Sequence, residues 1–393
     1  MNRWLAMPTA VWCTIGVAFS AAHAQSPTTR PGQTDWPSFR GDAQLTGVAI
    51  TTLPERLTVR WKYEAAEAVT STAAIARGVV YVGCHDGRLY ALDLTTGTLK
   101  WKYAAKGPIE SSPTVVAQTV FFGDQEGVLH AVDTQTGQAR WTFATDGQII
   151  SSPNHQAGRL VFGSYDNVVY CLAARDGKLL WKHETQDMVH GTPAIVRERV
   201  VFAGCDGRLH VIRLADGQEV AAVKLGSPCG ASAACQGKHA FVGTVGGQVL
   251  AIDWSAARTL WTYEDPERQL PIVSSAAVTP DSVVVGGRDK RLIALDPHTG
   301  RPQWTFVTKG KIESSPVVVR SANGDTSKDR VFVGSADGNL YAVNLATGRE
   351  TWRFETGSSI SASPAVAADC LVIATEDGVI YCFGSVPRSQ RNP

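Results

Sequence analysis

Apolar and polar positions alternate in short runs from about residue 57 to residue 384, and the pattern of runs recurs about every 40 residues. One unit reads Ser111-Ser112-Pro113-Thr114-Val115-Val116, then Thr119-Val120-Phe121-Phe122-Gly123. Val128-Leu129-His130-Ala131-Val132-Asp133 and Ala139-Arg140-Trp141-Thr142-Phe143 complete it. β-branched and aromatic residues fill the runs and turn residues separate them, which predicts four short strands per unit. The second separator carries glycine (Asp86-Gly87, Asp206-Gly207, Asp337-Gly338, Asp377-Gly378), as a tight hairpin requires. The third carries Thr-Gly or Asp-Gly, as at Thr96-Gly97, Thr136-Gly137, Asp176-Gly177 and Thr299-Gly300. The fourth run alternates Trp-x-aromatic (Trp61/Tyr63, Trp101/Tyr103, Trp141/Phe143, Trp304/Phe306). This is a period of two with one apolar face, an antiparallel strand laid on a neighbouring sheet.

Three residue ladders count the units. Tryptophan stands at 61, 101, 141, 181, 261, 304 and 352, with Ala221 in the gap. A small residue stands at Gly83, Gly123, Gly163, Ala203, Gly243, Gly286, Gly334 and Ala374. A third ladder, each member preceded by Ser or Thr, is Ala73, Pro113, Pro153, Pro193, Ala233, Ala276, Pro316 and Pro364. Eight units of four antiparallel strands predict an all-β, eight-bladed β-propeller over residues 57–384. The first Trp strand precedes any complete unit, and the last unit ends at Tyr381-Cys382-Phe383-Gly384 without one. The N-terminal strand should therefore complete the last blade and close the ring, removing its open edges.

The segment Ala91-Leu92-Asp93-Leu94-Thr95-Thr96-Gly97-Thr98-Leu99-Lys100-Trp101 and its copies resemble the tryptophan-docking motif of the pyrroloquinoline-quinone (PQQ)-like propellers. Asp35-Trp36-Pro37-Ser38-Phe39-Arg40-Gly41 is similar to the segment that precedes the ring in that family. WD40 repeats share the period, but the chain contains no Trp-Asp dipeptide.

Composition adds cause and compartment. The 37 glycines and 11 tryptophans among 393 residues are expected together, because each docked indole needs a flat seat, here assigned to glycine in a neighbouring strand. Burying one indole is worth roughly 4–6 kcal/mol as an upper bound. Residues 1–24 hold one charge, Arg3, an apolar run and Ala22-His23-Ala24, which predicts an export signal cleaved before Gln25. Cys13 lies inside the apolar run after Val11-Trp12, not at a lipoprotein attachment site, and no later stretch is apolar enough to span a bilayer. Thirty-seven basic against 36 acidic residues fall to parity without Arg3, which argues against nucleic acid or anionic lipid as a main partner. The expected organisation is a signal (1–24), an N-terminal arm (25–56), the ring and a short tail (385–393), exported to the periplasm or beyond as a soluble, monomeric ring. Of the remaining cysteines, Cys229 with Cys235, or Cys370 with Cys382, are candidate disulfides.

Shared residues serve the fold, so function should lie where the copies differ. The Ser/Thr-Pro ladder is read as small residues near the ring axis, not as nucleophiles, since it recurs in all eight units. Three residues before it, facing the axial funnel, stand Thr70, Glu110, Ile150, His190, Gly230, Val273, Glu313 and Ser361; Glu110, His190 and Glu313 are the candidate site. His130 and His210 are read as packing residues, and Cys84-His85-Asp86 as a hairpin turn rather than a metal motif. Ser321, Asn323, Asp325 and Asp329 in the one long insertion have the spacing of a degenerate calcium loop. The fourth unit, with Val211, Arg213 and Ala221, should be repacked or loose, because an unfilled Trp-to-Ala hole costs about 3–5 kcal/mol.

Two functions follow. The first is a non-catalytic exported propeller that binds a protein partner or a ligand. In length and bareness it is similar to the propeller lipoproteins of the outer-membrane β-barrel assembly machinery, although the lipid-anchoring cysteine is not matched. The second, which the family resemblance implies, is a dehydrogenase holding PQQ and calcium over the funnel on a Trp floor, with a carboxylate base. The adjacent Cys-Cys pair of many such enzymes and a haem-type Cys-x-x-Cys-His are not found. The first reading is preferred, with no cofactor assigned. Whether residues 25–55 plug the funnel is left open.

Overall fold

A computed structural model of the chain describes residues 1–2 and 35–385. Eight antiparallel sheets follow one another in sequence order. Blade 1 consists of Ala74–Ala76, Val79–Gly83, Arg88–Asp93 and Leu99–Ala104. Blades 2 to 7 begin at Thr114–Val116, Asn154–Gln156, Ala194–Val196, Ala234–Gln236, Ala277–Val278 and Val317–Ser321. Their outermost strands are Ala139–Ala144, Leu179–Glu184, Glu219–Lys224, Arg258–Glu264, Pro302–Val307 and Glu350–Glu355. Blade 8 combines Ala365–Ala367, Cys370–Ala374 and Val379–Gly384 with Thr58–Glu64 from the start of the ring. The pairing Trp61↔Cys382 is the closure that the ladders predict.

Five of the seven ladder indoles donate to a carbonyl of the next blade, as Trp61 to Leu94 at 2.8 Å, Trp101 to Thr134 at 3.0 Å and Trp181 to Leu214 at 2.9 Å; the buried Trp141 Nε1 makes no such bond. The seat of the indole is not a glycine in a strand, as expected from the sequence, but the positive-φ glycine of the next blade's last turn. A Cβ on Gly97, Gly177 or Gly300 would lie 2.6 Å from Trp61, Trp141 or Trp261. The strand glycines make a different contact. A Cβ on Gly83, Gly123 or Gly334 would lie 2.1–2.3 Å from Ile109, Ile149 or Ile360 of the next blade's entry loop. Where both glycines are present, as at Gly97 and Gly83, one serves the turn geometry and the indole and the other a β-branched plug.

Blade 4 is repacked. Elsewhere the Trp strand pairs a tryptophan with a small residue, as in Ala91↔Trp101 and Ala251↔Trp261. In blade 4 the pair is Val211↔Ala221, so volume moves from one strand to the other. Trp254 of blade 5 packs against the same apolar cluster as Ala221.

The arm answers the question of the funnel. The free inner edge of nearly every innermost strand is taken by residues 36–51. Trp36 exchanges both backbone hydrogen bonds with Ile75, Pro37 accepts from Val115, Ala43 from Ile195, and Gln44 from Cys235. Thr46 then accepts from Val278, and Val48–Thr51 runs parallel to Val317–Ser321. Arg40 is 1% exposed, and its Nη2 donates to Ala276 O and Pro316 O at 2.9 and 2.7 Å. Burial pushes this guanidinium down to about 9. One half of the channel is therefore filled by the arm, and the exposed inner edges of an open ring are satisfied.

Neither candidate disulfide is formed: Cys84, Cys171, Cys205, Cys229, Cys235, Cys370 and Cys382 are all thiols. Cys229 Sγ turns to Ser227 O and Cys235 Sγ to Ala233 O, while Cys370 Sγ receives Arg60 Nη1 at 2.8 Å. The calcium-like spacing also serves the backbone. Asp325 caps the short 3-10 turn Thr326–Lys328, and buried Asp329 accepts from Ser321 N and Arg320 Nε. The predicted signal from residue 3 onward and most of the tail lie outside the described residues.

Candidate functional site

The open half of the channel is a cavity of about 190 Å³. Its lining includes all eight positions expected to face the funnel, from Thr70 and Glu110 round to Glu313 and Ser361, with Phe39 reaching it from the arm. Below them runs a girdle of hydroxyls made by the Ser/Thr ladder. The N–H of Thr72 donates to Ser112 Oγ, that of Ser112 to Ser152, of Ser152 to Thr192, and of Thr192 to Ser232. Ser232, Ser275 and Ser315 continue it to Ser363, whose N–H returns to Thr72. The circuit is closed at 2.8–3.2 Å per bond. It explains why the residue before Pro or Ala must be Ser or Thr: each hydroxyl satisfies the amide of the preceding blade at a place where neither strand partner can reach.

The charged groups form two clusters. Glu110 accepts from Gln125 Nε2 at 2.5 Å and lies 3.8 Å from His85 Nε2, which is 2.9 Å from Thr70 Oγ1. Beside it the Tyr165 hydroxyl is 2.6 Å from His190 Nδ1. Burial pushes the Tyr165 phenol up to about 12, with Cys205 and Glu110 adding to it. Burial also holds His190 below the ordinary histidine range, Glu110 partly opposing. The second cluster is Glu313, held by Arg288 Nη2 at 2.7 Å and Lys311 Nζ at 3.1 Å. Sequence reasoning found Glu110, His190 and Glu313 but missed His85, Gln125, Tyr165 and Arg288. These stand two residues after the small-residue ladder, on the turn above each funnel position, and a comparison of that column across the eight units would have found them.

Chemically, the funnel offers hydroxyls, a neutral imidazole against a phenol, one carboxylate paired with two cations and one bonded to an amide. Among the described residues no tryptophan lines it, and Phe39 is the one apolar ring in the lining.

The fold is an eight-bladed β-propeller with a closed girdle of hydroxyls around its axis. The family model described as outer membrane protein assembly factor BamB matches residues 49–124, 109–238 and 225–385, and the chain belongs to this PQQ-like propeller family. Comparison with curated proteins found no match. Among solved structures, BamB from Moraxella catarrhalis is 18% identical, with a TM-score of 0.71 over 84% of this chain and 100% of that chain. Quinohemoprotein alcohol dehydrogenase from Comamonas testosteroni is 15% identical, with a TM-score of 0.74 over 90% and 81%. The computationally designed Ika8 protein is 19% identical, with a TM-score of 0.71 over 82% and 98%. At these identities the likeness is one of fold.

Proposed function

We propose that the protein is an exported, non-catalytic propeller that holds a protein partner on its rim. The observation that carries this reading is the pairing of the funnel's ionisable side chains. Glu313 is ion-paired with two cations, Glu110 accepts from Gln125, and His190 is bonded to Tyr165, so each has a partner within the protein. The lining does not fit PQQ with calcium. It lacks the aromatic floor such a planar ring system needs, and a cavity of about 190 Å³ is below the roughly 300–1,000 Å³ usual for ligand sites. Apolar exposure lies elsewhere, on the outermost strands: Leu179, Leu180, Val220, Leu260 and Val307 follow one another over blades 3 to 6, with Leu99 on blade 1 and Val59 on blade 8. Those strands also present free edges, the feature that strand-adding partners use. Export rests on the signal-like residues 1–24; among the described residues no helix is long and apolar enough to cross a membrane.

The test is photocrosslinking in the native envelope from a probe at residue 180 or 220, against a probe on Lys102 of blade 1. A discrete protein adduct from the first two positions alone is the expected result. Equal labelling from all three, or none, would count against a rim-bound partner.

A further inference from the structure

At most seams of the ring, the residue two after the tryptophan position packs on the middle strand of the next blade as a pair of rings. Tyr63 meets Tyr90 at 5.6 Å, Phe143 meets Tyr170 at 5.6 Å, Phe306 meets Tyr341 at 5.3 Å and Phe354 meets Tyr381 at 5.7 Å. At the seam between blades 3 and 4 both rings are imidazoles, His183 and His210, 5.9 Å apart. The same blade places Glu219 two residues before Ala221, the gap in the tryptophan ladder. The coincidence of two histidines and a carboxylate occurs at this seam alone among the described residues.

We propose that His183, His210 and Glu219 bind a divalent transition-metal ion of the zinc class, with Asp206 as the residue that positions His210. The ligand atoms of the three lie within 4.8 Å of one another. Donors of a tetrahedral ion with bonds of about 2.1 Å stand about 3.4 Å apart, so a small inward turn of the side chains completes the set. His210 is prepared for it. Its Nε2 is 2.9 Å from Asp206 Oδ2, a carboxylate whose side chain is 2% exposed, and its ring stacks on Phe202 at 4.8 Å and 12°. That leaves Nδ1 facing Glu219 Oε1 at 2.7 Å, the carboxylate–histidine–metal order of a tuned site. An arriving ion takes the place of the shared hydrogen between Nδ1 and Glu219, and the proton goes to solvent. His183 adds the second imidazole nitrogen from across the seam, its ring 5.9 Å from that of His210. Two nitrogens and one carboxylate select zinc, cobalt or nickel over calcium or magnesium, which need oxygen cages. Glu219 is on the exposed side, giving the ion an entry path and leaving a fourth position to water.

Comparison with blade 2 shows that the arrangement is not simply how a histidine packs here. His130 makes the same stack on Phe122 and the same carboxylate contact with Asp124, but its Nδ1 is met by the Tyr103 hydroxyl, and no third ligand is present.

The experiment uses the full mature chain, stripped with chelator, titrated with Zn²⁺ and Co²⁺ by calorimetry and by the visible absorption of Co²⁺. One equivalent should bind, with intense tetrahedral Co²⁺ bands and a raised melting temperature. His183→Phe and His210→Tyr install the residues that other blades carry at these places, so the ring should fold; each should weaken binding at least tenfold and the pair should abolish the bands. Glu219→Gln, on the exposed edge, provides a variant with no packing role. Absence of stoichiometric binding by the wild type, or undiminished binding in all three variants, would overturn the site.

Discussion

The backbone N–H of Ser363 donates to Thr72 Oγ1 at 3.2 Å, joining residues 291 positions apart and closing the girdle of eight amide-to-hydroxyl bonds around the axis. This contact and the strand pair Thr58–Glu64 with Val379–Gly384 seal the ring from inside and outside. Thr72→Val keeps shape but removes the acceptor, leaving a buried N–H unpaired at a cost of about 1–3 kcal/mol. Thr72→Ser should be near neutral. Urea denaturation of the two variants checks this, and an equal effect of both would mean that the hydroxyl does not act as proposed.

Substitution at the indole seat should cost more than substitution at an open turn. Gly300 has φ +70 and a Cβ would stand 2.6 Å from Trp261, so Gly300→Ala combines backbone strain with overpacking, roughly 2–4 kcal/mol. Gly78 has φ +73 but nothing within 4 Å, so Gly78→Ala should lose only about 1 kcal/mol. Equal denaturation midpoints for the two would contradict the docking account.

Stability should fall as the pH drops from 7 to 5. Burial holds His155, His183 and His190 below the ordinary histidine range, so the unfolded chain takes up protons first, from about pH 6.5 downward. Stability is thus lost from that point until the folded histidines titrate as well. The Asp124 carboxylate does not contribute in this window. Burial alone would raise Asp124, but bonds from His130 and the Val128 amide hold it below the usual range, and its contribution is lost only under about pH 4. Melting temperatures across the range give the slope, which His190→Asn should reduce.

Blade 4 should open first. Its outermost strand, Glu219–Lys224, faces Val211 with Ala221 instead of an indole and carries exposed Val220. Amide hydrogen exchange should be faster there than in Leu99–Ala104 or Glu350–Glu355, and uniform protection of the eight outer strands would refute the prediction.

Much of this architecture is legible in the chain because a repeat reports itself eight times. The ladders place the closing strand within a residue of Thr58–Glu64, and spacing alone puts Thr70, Glu110 and Glu313 on one cavity. What escaped was pairwise. Gly97 and Gly83 are both glycines in the same unit, and only the space across the seam distinguishes the indole seat from the isoleucine seat. His210 carries the packing role its column predicts, yet the carboxylates Asp206 and Glu219 come from a turn and a neighbouring strand whose convergence no linear pattern displays. The arm has no repeat at all, so the course of residues 36–51 through the channel could not be read from periodicity.

The most direct test of the central claim is a calorimetric titration of the mature protein with PQQ in the presence of calcium, followed by a dye-linked alcohol oxidation assay. The account predicts no saturable heat and no turnover, with Glu110→Ala indistinguishable from wild type. Tight binding with turnover that collapses in Glu110→Ala would contradict it and make the funnel a catalytic site.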